Sequence, residues 1–592
     1  MDTDVALVGS GPAAEAALAA LSDADLAVEG GASAIDSARA AVVVDRIGAD
    51  AFDRVNELAR ESSTPWLAVE LGGVGGYPVV DVAVAGFDPG RECYDCLRGR
   101  VASNVDDESE PVPAPDGPTQ RLAGAVAGRR VVAMFEGDQE AAPLGRVIEV
   151  PHAERRFLPL PGCGCGGERD HLPRRDDDPV DVETALALAE QGLDDRTGIV
   201  QQVGEAHSYP APYYLAELCD TSGFSDATAP RKAAGVAVDW DSAFMKALGE
   251  SFERYAAGVY DESDARTAAA DDLAAVVEPS RFVAPGEAPD GELEWVLAEN
   301  LDSGAEHWVP ADLVFHPPRS RDIRPAVTTG LGLGSSGVDA LLSGLTEVIE
   351  RDAAMLSWYS TYEPLGLAVE DEGYETLAAR ARSEGLEATP LLLTQDVDVP
   401  VVAVAVHREG ERSEPSERAS GSEQGERHAS REGDWPRFAV GSAADLDPAR
   451  AARGALEEAV QNWTELRSMG PEQAAEESGA IGEYAEFPEA ARAFVDPAQT
   501  IPADSVGPDE VPEGGAALDA LVDRLSAAGL DAYATRTTTR DLELLGFEAV
   551  RVLVPDAQPL FFGDPFFGER AERVPDDLGF EPRLDRDHHP FP

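Results

Sequence analysis

The stretch GLGLGSSGVDALLSGLTEVIERDA (Gly330–Ala353) opens on a glycine-rich turn and runs into apolar residues at helical spacing. It therefore predicts a turn leading into an amphipathic helix. Its second half, Ala340 to Arg351, aligns without gaps to Ala243 to Arg254. A third segment, Ala451 to Gln461, keeps the alanine, the leucine and the first glutamate. On a helix, residues at i and i+3 project together. The pairs Glu250/Glu253 and Glu347/Glu350, with Glu458/Gln461, thus stand beside the apolar stripe of three similar helices. One such helix alone reads as a solvated acidic face. Three with a matching apolar frame read as one convergent site. Gathered carboxylates repel unless cations neutralise them, and Mg²⁺ does so while keeping positions for water and phosphate oxygens. Arg254 and Arg351, one residue past each pair, are placed to contact phosphate or brace the acids.

The 592 residues exceed what one core supports and predict two or three domains. With 112 Asp+Glu against 47 Lys+Arg, the formal charge is −65. Such a surface suits high salt, where self-repulsion is screened, and disfavours nucleic acid as a partner. No apolar run is long enough to span a membrane, and the acidic N-terminus is unlike a signal peptide, so a cytoplasmic protein is expected. The same acid excess means that a lone Glu-x-x-Glu carries no information.

At the front, Val5–Leu21 reads as strand, glycine turn and helix. Gly9, Gly11, Ala14 and the later Glu29 fit a dinucleotide fingerprint, a pattern that recurs in many such turns. Further apolar runs at Ala41–Asp45 and Pro65–Gly73 predict a small α/β domain. Residues 102–118 are acidic and proline-rich, as in a linker. The tract Glu409–Asp434 is almost free of apolar residues and is expected to be a disordered insertion in a hairpin formed by Val401–His407 and Arg437–Ala443.

Of five cysteines, Cys93 and Cys96 have metal-knuckle spacing, and Cys163 and Cys165 form a second pair flanked by glycines. Four thiolates would make a closed structural Zn²⁺ site. The alternative is two unrelated pairs in loops, and Cys219 reads as a buried apolar residue.

Gly330–Ala353 resembles the Gly-turn and Glu-x-x-Glu-Arg-Asp-Ala helix of the YcaO family. Leu188–Val203 resembles that domain's opening strand, Ala439–Gln461 its third signature and Gly546–Asp556 a late strand. ECYDCLRGR (Glu92–Arg100) resembles the ThiF-like domain that accompanies YcaO domains in azoline-forming, bacteriocin-type systems. The resemblance implies an α+β YcaO domain at 181–592, preceded by a ThiF-like α/β domain at 1–105 and a linker with the second cysteine pair at 106–180. It implies ATP and Mg²⁺ held by Glu250, Glu253, Arg254, Glu347, Glu350, Arg351, Glu458 and Gln461. The activity implied is cyclodehydration of Cys, Ser or Thr in a ribosomal precursor peptide to azolines, with thioamide formation as the sister chemistry. The HHPFP ending resembles the proline-rich tail of azoline-forming members, which gives Pro592, with Arg351, a role at the reacting centre; His588 stands where the pattern's first proline would be. Two departures, Val236 in place of a Gly-Lys-Gly lysine region and Thr329 in place of an asparagine, keep a weakened enzyme or a peptide-binding scaffold open. A separate peptide-recognition or dehydrogenase protein and a homodimer are the expected partners.

Overall fold

The computed structural model describes residues 3–105, 113, 115–138, 142–151, 153–289, 291–408, 435–476 and 479–592. A front sheet has seven strands in the spatial order Val28–Gly30, Val5–Gly9, Ala40–Arg46, Trp66–Leu71, Val82–Phe87, Arg146–Glu149 and Ala153–Arg156. Its first four strands are parallel and the rest antiparallel. Ala40 through Val44 are buried without interruption, as a strand covered on both faces requires. The helix Pro12–Asp23 packs on Gly117–Glu136, where a Cβ on Gly124 would stand 1.9 Å from the Ala13 carbonyl oxygen. Only glycine permits that approach. The stretch read as linker, 106–180, thus gives one helix and two strands to the front sheet, which extends past residue 105. Part of the acidic 102–118 segment lies outside the described residues.

Behind it lie three more sheets, of three, six and five strands. The three-stranded sheet joins Val200–His207, Tyr213–Leu218 and Lys232–Val236. The six-stranded sheet includes Glu292–Asn300, Tyr533–Arg536, Glu548–Leu553 and Leu331–Gly334, and the five-stranded one ends on Val401–His407 and Phe438–Ala444. The last two pair antiparallel with His407 opposite Phe438, which is the expected hairpin. The insertion at 409–434 lies outside the described residues. The architecture is mixed α/β, as the sequence predicts, and among the described residues no helix is long and apolar enough to cross a membrane.

The three acid-bearing segments are helices Trp240–Gly258, Gly337–Trp358 and Pro448–Ala474, the last kinked at Gly470. Each begins on a side-chain cap: Asp239 accepts from Ser242 N–H, Ser336 from Asp339 N–H and Asp447 from Ala449 N–H. Such caps satisfy helix-end donors that otherwise lack partners. Front and rear parts meet where buried Arg100 contacts Tyr255 and Asp541.

Candidate functional site

Each acid-bearing helix lies against the strand that precedes it, and a strand glycine sets the distance. A Cβ on Gly235 would stand 2.4 Å from the Ala243 carbonyl oxygen, one on Gly332 2.3 Å from that of Ala340, and one on Gly441 2.6 Å from that of Ala455. The closeness lets one glutamate of each helix reach back to a main-chain N–H. Ala234 donates to Glu250 at 2.6 Å, Gly330 to Glu347 at 2.8 Å and Ser442 to Glu458 at 2.6 Å. The repeat read in one dimension is thus a structural repeat, with each carboxylate anchored in the same way. Ser442 also ties two units together, because its hydroxyl donates to Glu350 at 2.6 Å.

The arginines brace the acids. Arg254 pairs with Glu250 one turn earlier and donates to the Lys232 carbonyl oxygen at 2.6 Å, and Arg351 pairs with Glu347 at 3.0 Å. These cations do not balance the carboxylates. Burial, then the charges of Glu347 and Glu250, pushes Glu253 up to about 8. Burial pushes Glu458 up to about 7 and raises Glu250, and burial with the charge of Glu458 lifts Glu350 well above the usual carboxylate range. Desolvation and like charge both penalise the ionised form, so the site favours an added cation. The acids are not packed around one point: among the described residues the four cysteines are the only group of three or more metal-ligating side chains whose ligand atoms lie within 4.8 Å of one another. Gln461 is half-buried and donates to Glu465 on its own helix at 3.1 Å.

Two basic residues here were not singled out in the sequence. Arg551 sits on the buried strand Glu548–Leu553 and donates to the carbonyl oxygens of Thr328 at 2.7 Å and Val327 at 2.8 Å. Burial, then the charge of Arg324, lowers it to about 9, and burial lowers Arg324 to about 10. An arginine in the middle of a fully buried strand, between valines, is a detectable signal, because charges are rarely fully buried without a task. Arg324 lies in the RDIRPAV segment, which has no periodicity to expose it. Thr329, at the position that departs from the family, is 6% exposed and its hydroxyl finds no partner. With Arg324 it lines a cavity of about 20 Å³, enough for one water. Val236 points into a core with Ala211 and Tyr213.

The tail is docked. Phe591 is 4% exposed, the His589 ring bonds the Phe561 carbonyl oxygen at 2.7 Å, and Arg351 donates to an oxygen of Pro592 at 3.4 Å. Pro592 and the acid-bearing second helix are therefore neighbours.

Cys93, Cys96, Cys163 and Cys165 come together although about 70 residues separate the pairs. Their sulfurs lie 3.6 Å (Cys93 to Cys163), 3.4 Å (Cys96 to Cys165) and 3.9 Å (Cys93 to Cys96) apart. A tetrahedral zinc with bonds of ~2.3 Å requires sulfur separations of about 3.8 Å, so the spacing fits. Arg540 reaches the Cys165 sulfur at 3.3 Å. The neighbouring thiols draw Cys163 and Cys165 toward the thiolate and push Cys93 and Cys96 away from it, so the cluster without a cation does not ionise as a whole. Cys219 is fully buried.

Residues 234–558 match a family model described as YcaO cyclodehydratase, ATP- and Mg²⁺-binding. A protein of Methanothermobacter thermautotrophicus, described as uncharacterized, is 33% identical over 180 residues, 29% of this chain and 46% of that relative. The match thus spans about half the length of the curated relative. A solved structure described as a heterocyclase in complex with substrate and cofactor superposes with a TM-score of 0.71 at 19% identity, covering 98% of this chain and 83% of the other. The heterocyclase TruD gives 0.65 at 17% identity, covering 100% and 84%. These two likenesses establish a shared fold across both front and rear parts.

Proposed function

Because the chain belongs to the YcaO cyclodehydratase family, ATP- and Mg²⁺-binding enzymes, we propose that it activates backbone amides of a ribosomal precursor peptide and closes Cys, Ser or Thr side chains onto them as azolines. The observation that carries this reading is the threefold unit in which a main-chain N–H at or beside the preceding strand anchors a glutamate, at Glu250, Glu347 and Glu458, among carboxyls raised by burial and like charge. The separation of the acids suits Mg²⁺ ions whose coordination is completed by phosphate oxygens. Glu253 and Glu350, whose carboxyls burial and like charge keep protonated, would give up protons to an arriving cation, while Arg351, Arg324 and Arg551 face the same region and would take phosphate oxygens. The buried Thr329 hydroxyl offers a weaker oxygen ligand than an amide.

The chemistry ATP supplies is a phosphoryl group for the amide oxygen, so that oxygen departs as phosphate after the side-chain thiol or hydroxyl has added to the amide carbon. The protein's part is positioning and charge neutralisation. Arg351 orients the Pro592 tail against the site, where a tail oxygen can accept the proton released as the ring closes. The front sheet is read as a ThiF-like unit that presents the peptide, and the four thiolates as a structural Zn²⁺ site fastening it to the segment before the acid-bearing helices.

The reading is tested by incubating the purified protein with Mg²⁺-ATP and synthetic peptides rich in Cys, Ser and Thr, at molar salt. Loss of one water per ring, with ADP and phosphate released in step, is expected. ATP turnover without any change in peptide mass would refute it, and exchange of oxygen for sulfur when sulfide is added would assign the thioamide reaction instead.

A further inference from the structure

The large cavities of this protein differ in charge. One of about 1000 Å³ is lined by five acids against three arginines, and one of about 760 Å³ by four acids against two. A third, about 710 Å³, reverses the balance with Arg91, Arg146, Arg155 and Arg156 against Asp88, Glu92 and Glu154. In a chain with 112 acids and 47 basic residues, four arginines at one concavity run against the composition.

Two of the four are already engaged: Arg146 pairs with Glu154, and Arg155 with Glu149, Asp194 and Asp195. Two are not. Among the described residues Arg91 has no ion pair, and Arg156 makes its side-chain hydrogen bond to the neutral amide of Gln191. Between them Glu92 is 7% exposed, lines the same cavity and keeps a carboxylate oxygen buried without a partner. A buried acceptor left unsatisfied costs about 1–3 kcal/mol unless a ligand supplies its donor. The cavity therefore presents two guanidinium groups without an ion pair, Arg91 and Arg156, beside one unsatisfied acceptor.

We propose that this cavity, at the seam between the front sheet and the segment around Gln191 and Leu544, binds an acidic peptide segment: a ligand carboxylate pairs with Arg91 and Arg156 while a ligand main-chain N–H donates to Glu92. The proposal rests on the peptide-processing reading above and names the class of peptide. Anions alone leave Glu92 unsatisfied, and a basic peptide meets the arginines with like charge. A fork-shaped guanidinium is suited to a carboxylate, and such pairs gain from partial enclosure.

Two fluorescein-labelled decapeptides, identical except that Asp residues in one are Asn in the other, serve as probes for the full-length protein by anisotropy. The Asp peptide is expected to bind roughly tenfold or more tightly than its Asn twin, and the Arg91→Ala/Arg156→Ala variant to erase the difference. Glu92→Gln, which keeps shape, should weaken the Asp peptide while leaving its preference over Asn. Equal binding of the two peptides, no binding of either, or an unchanged preference in the double variant overturns the proposal. Mg²⁺-ATP affinity, measured on the same samples, separates the two ideas: if it is absent from the unmodified protein the catalytic reading fails, and the peptide data still decide this one.

Discussion

Arg100 and Asp541, 441 residues apart and both with fully buried side chains, form an ion pair at the seam between the front sheet and the rear of the molecule. Tyr255, on the helix that carries Glu250 and Glu253, donates to the same Asp541 at 2.7 Å and accepts from Arg100 at 3.2 Å. Removing one partner strands the other charge in the interior. Asp541→Asn is therefore expected to cost about 3–5 kcal/mol, read as a shifted denaturation midpoint. A change below ~1 kcal/mol would mean that water reaches the pair.

Glu347→Gln preserves size and removes charge. Because the Gly330 N–H can still donate to the amide oxygen, the fold should persist while Mg²⁺-dependent ATP affinity falls by about tenfold or more. Calorimetry with and without Mg²⁺ checks this, and an unchanged affinity removes Glu347 from the nucleotide site.

The raised carboxyls give a pH dependence with a definite sign. Glu253 at about 8 and Glu458 at about 7 hold protons in the folded state that the unfolded chain releases near its ordinary carboxylate range. Their contribution is fully present below that range and is lost as pH rises through 7 to 8. Without divalent cations, Tm should decline by a few °C between pH 5 and 8.5. With Mg²⁺-ATP the decline should flatten, and binding should release protons. A Tm that rises over the same interval in the cation-free protein contradicts the electrostatic picture.

For the cysteines, metal analysis after anaerobic purification should return one zinc per chain. Cys163→Ser should release it and lower Tm, because the binding energy of a closed site is folding energy. Substoichiometric zinc in the unaltered protein sinks the assignment.

Deleting Pro590 to Pro592 removes buried Phe591 and the oxygen held by Arg351. Nucleotide affinity should stay within about threefold, while peptide cyclisation slows on the order of a hundredfold, as expected when a positioned group is lost. Equal cyclisation rates would leave the tail a structural role.

The acid pairs were legible because helical spacing repeats and three matching frames are hard to obtain by chance. Four cysteines in two short-spaced pairs were legible for a similar reason, since each pair is local. What the sequence withheld was long-range. Ser442 looks like an ordinary strand serine until Glu350, 92 residues away, is seen to accept from its hydroxyl. Arg324 sits in an irregular segment, and Glu92 was legible only as a neighbour of Cys93. The front sheet was underestimated because its late strands, Arg146–Glu149 and Ala153–Arg156, are only four residues each and follow an acidic, proline-rich stretch. Short edge strands carry too little alternation to be read.

Gly235, Gly332 and Gly441 carry no side chain to hold an ion, move a proton or touch a substrate. In a saturation screen for loss of activity they should nevertheless score beside the glutamates, since even alanine places a carbon within 2.3–2.6 Å of helix backbone atoms. Selection on this enzyme would then fall on three empty spaces as heavily as on the acids, and a variant catalogue that ranks positions by side-chain chemistry would overlook them.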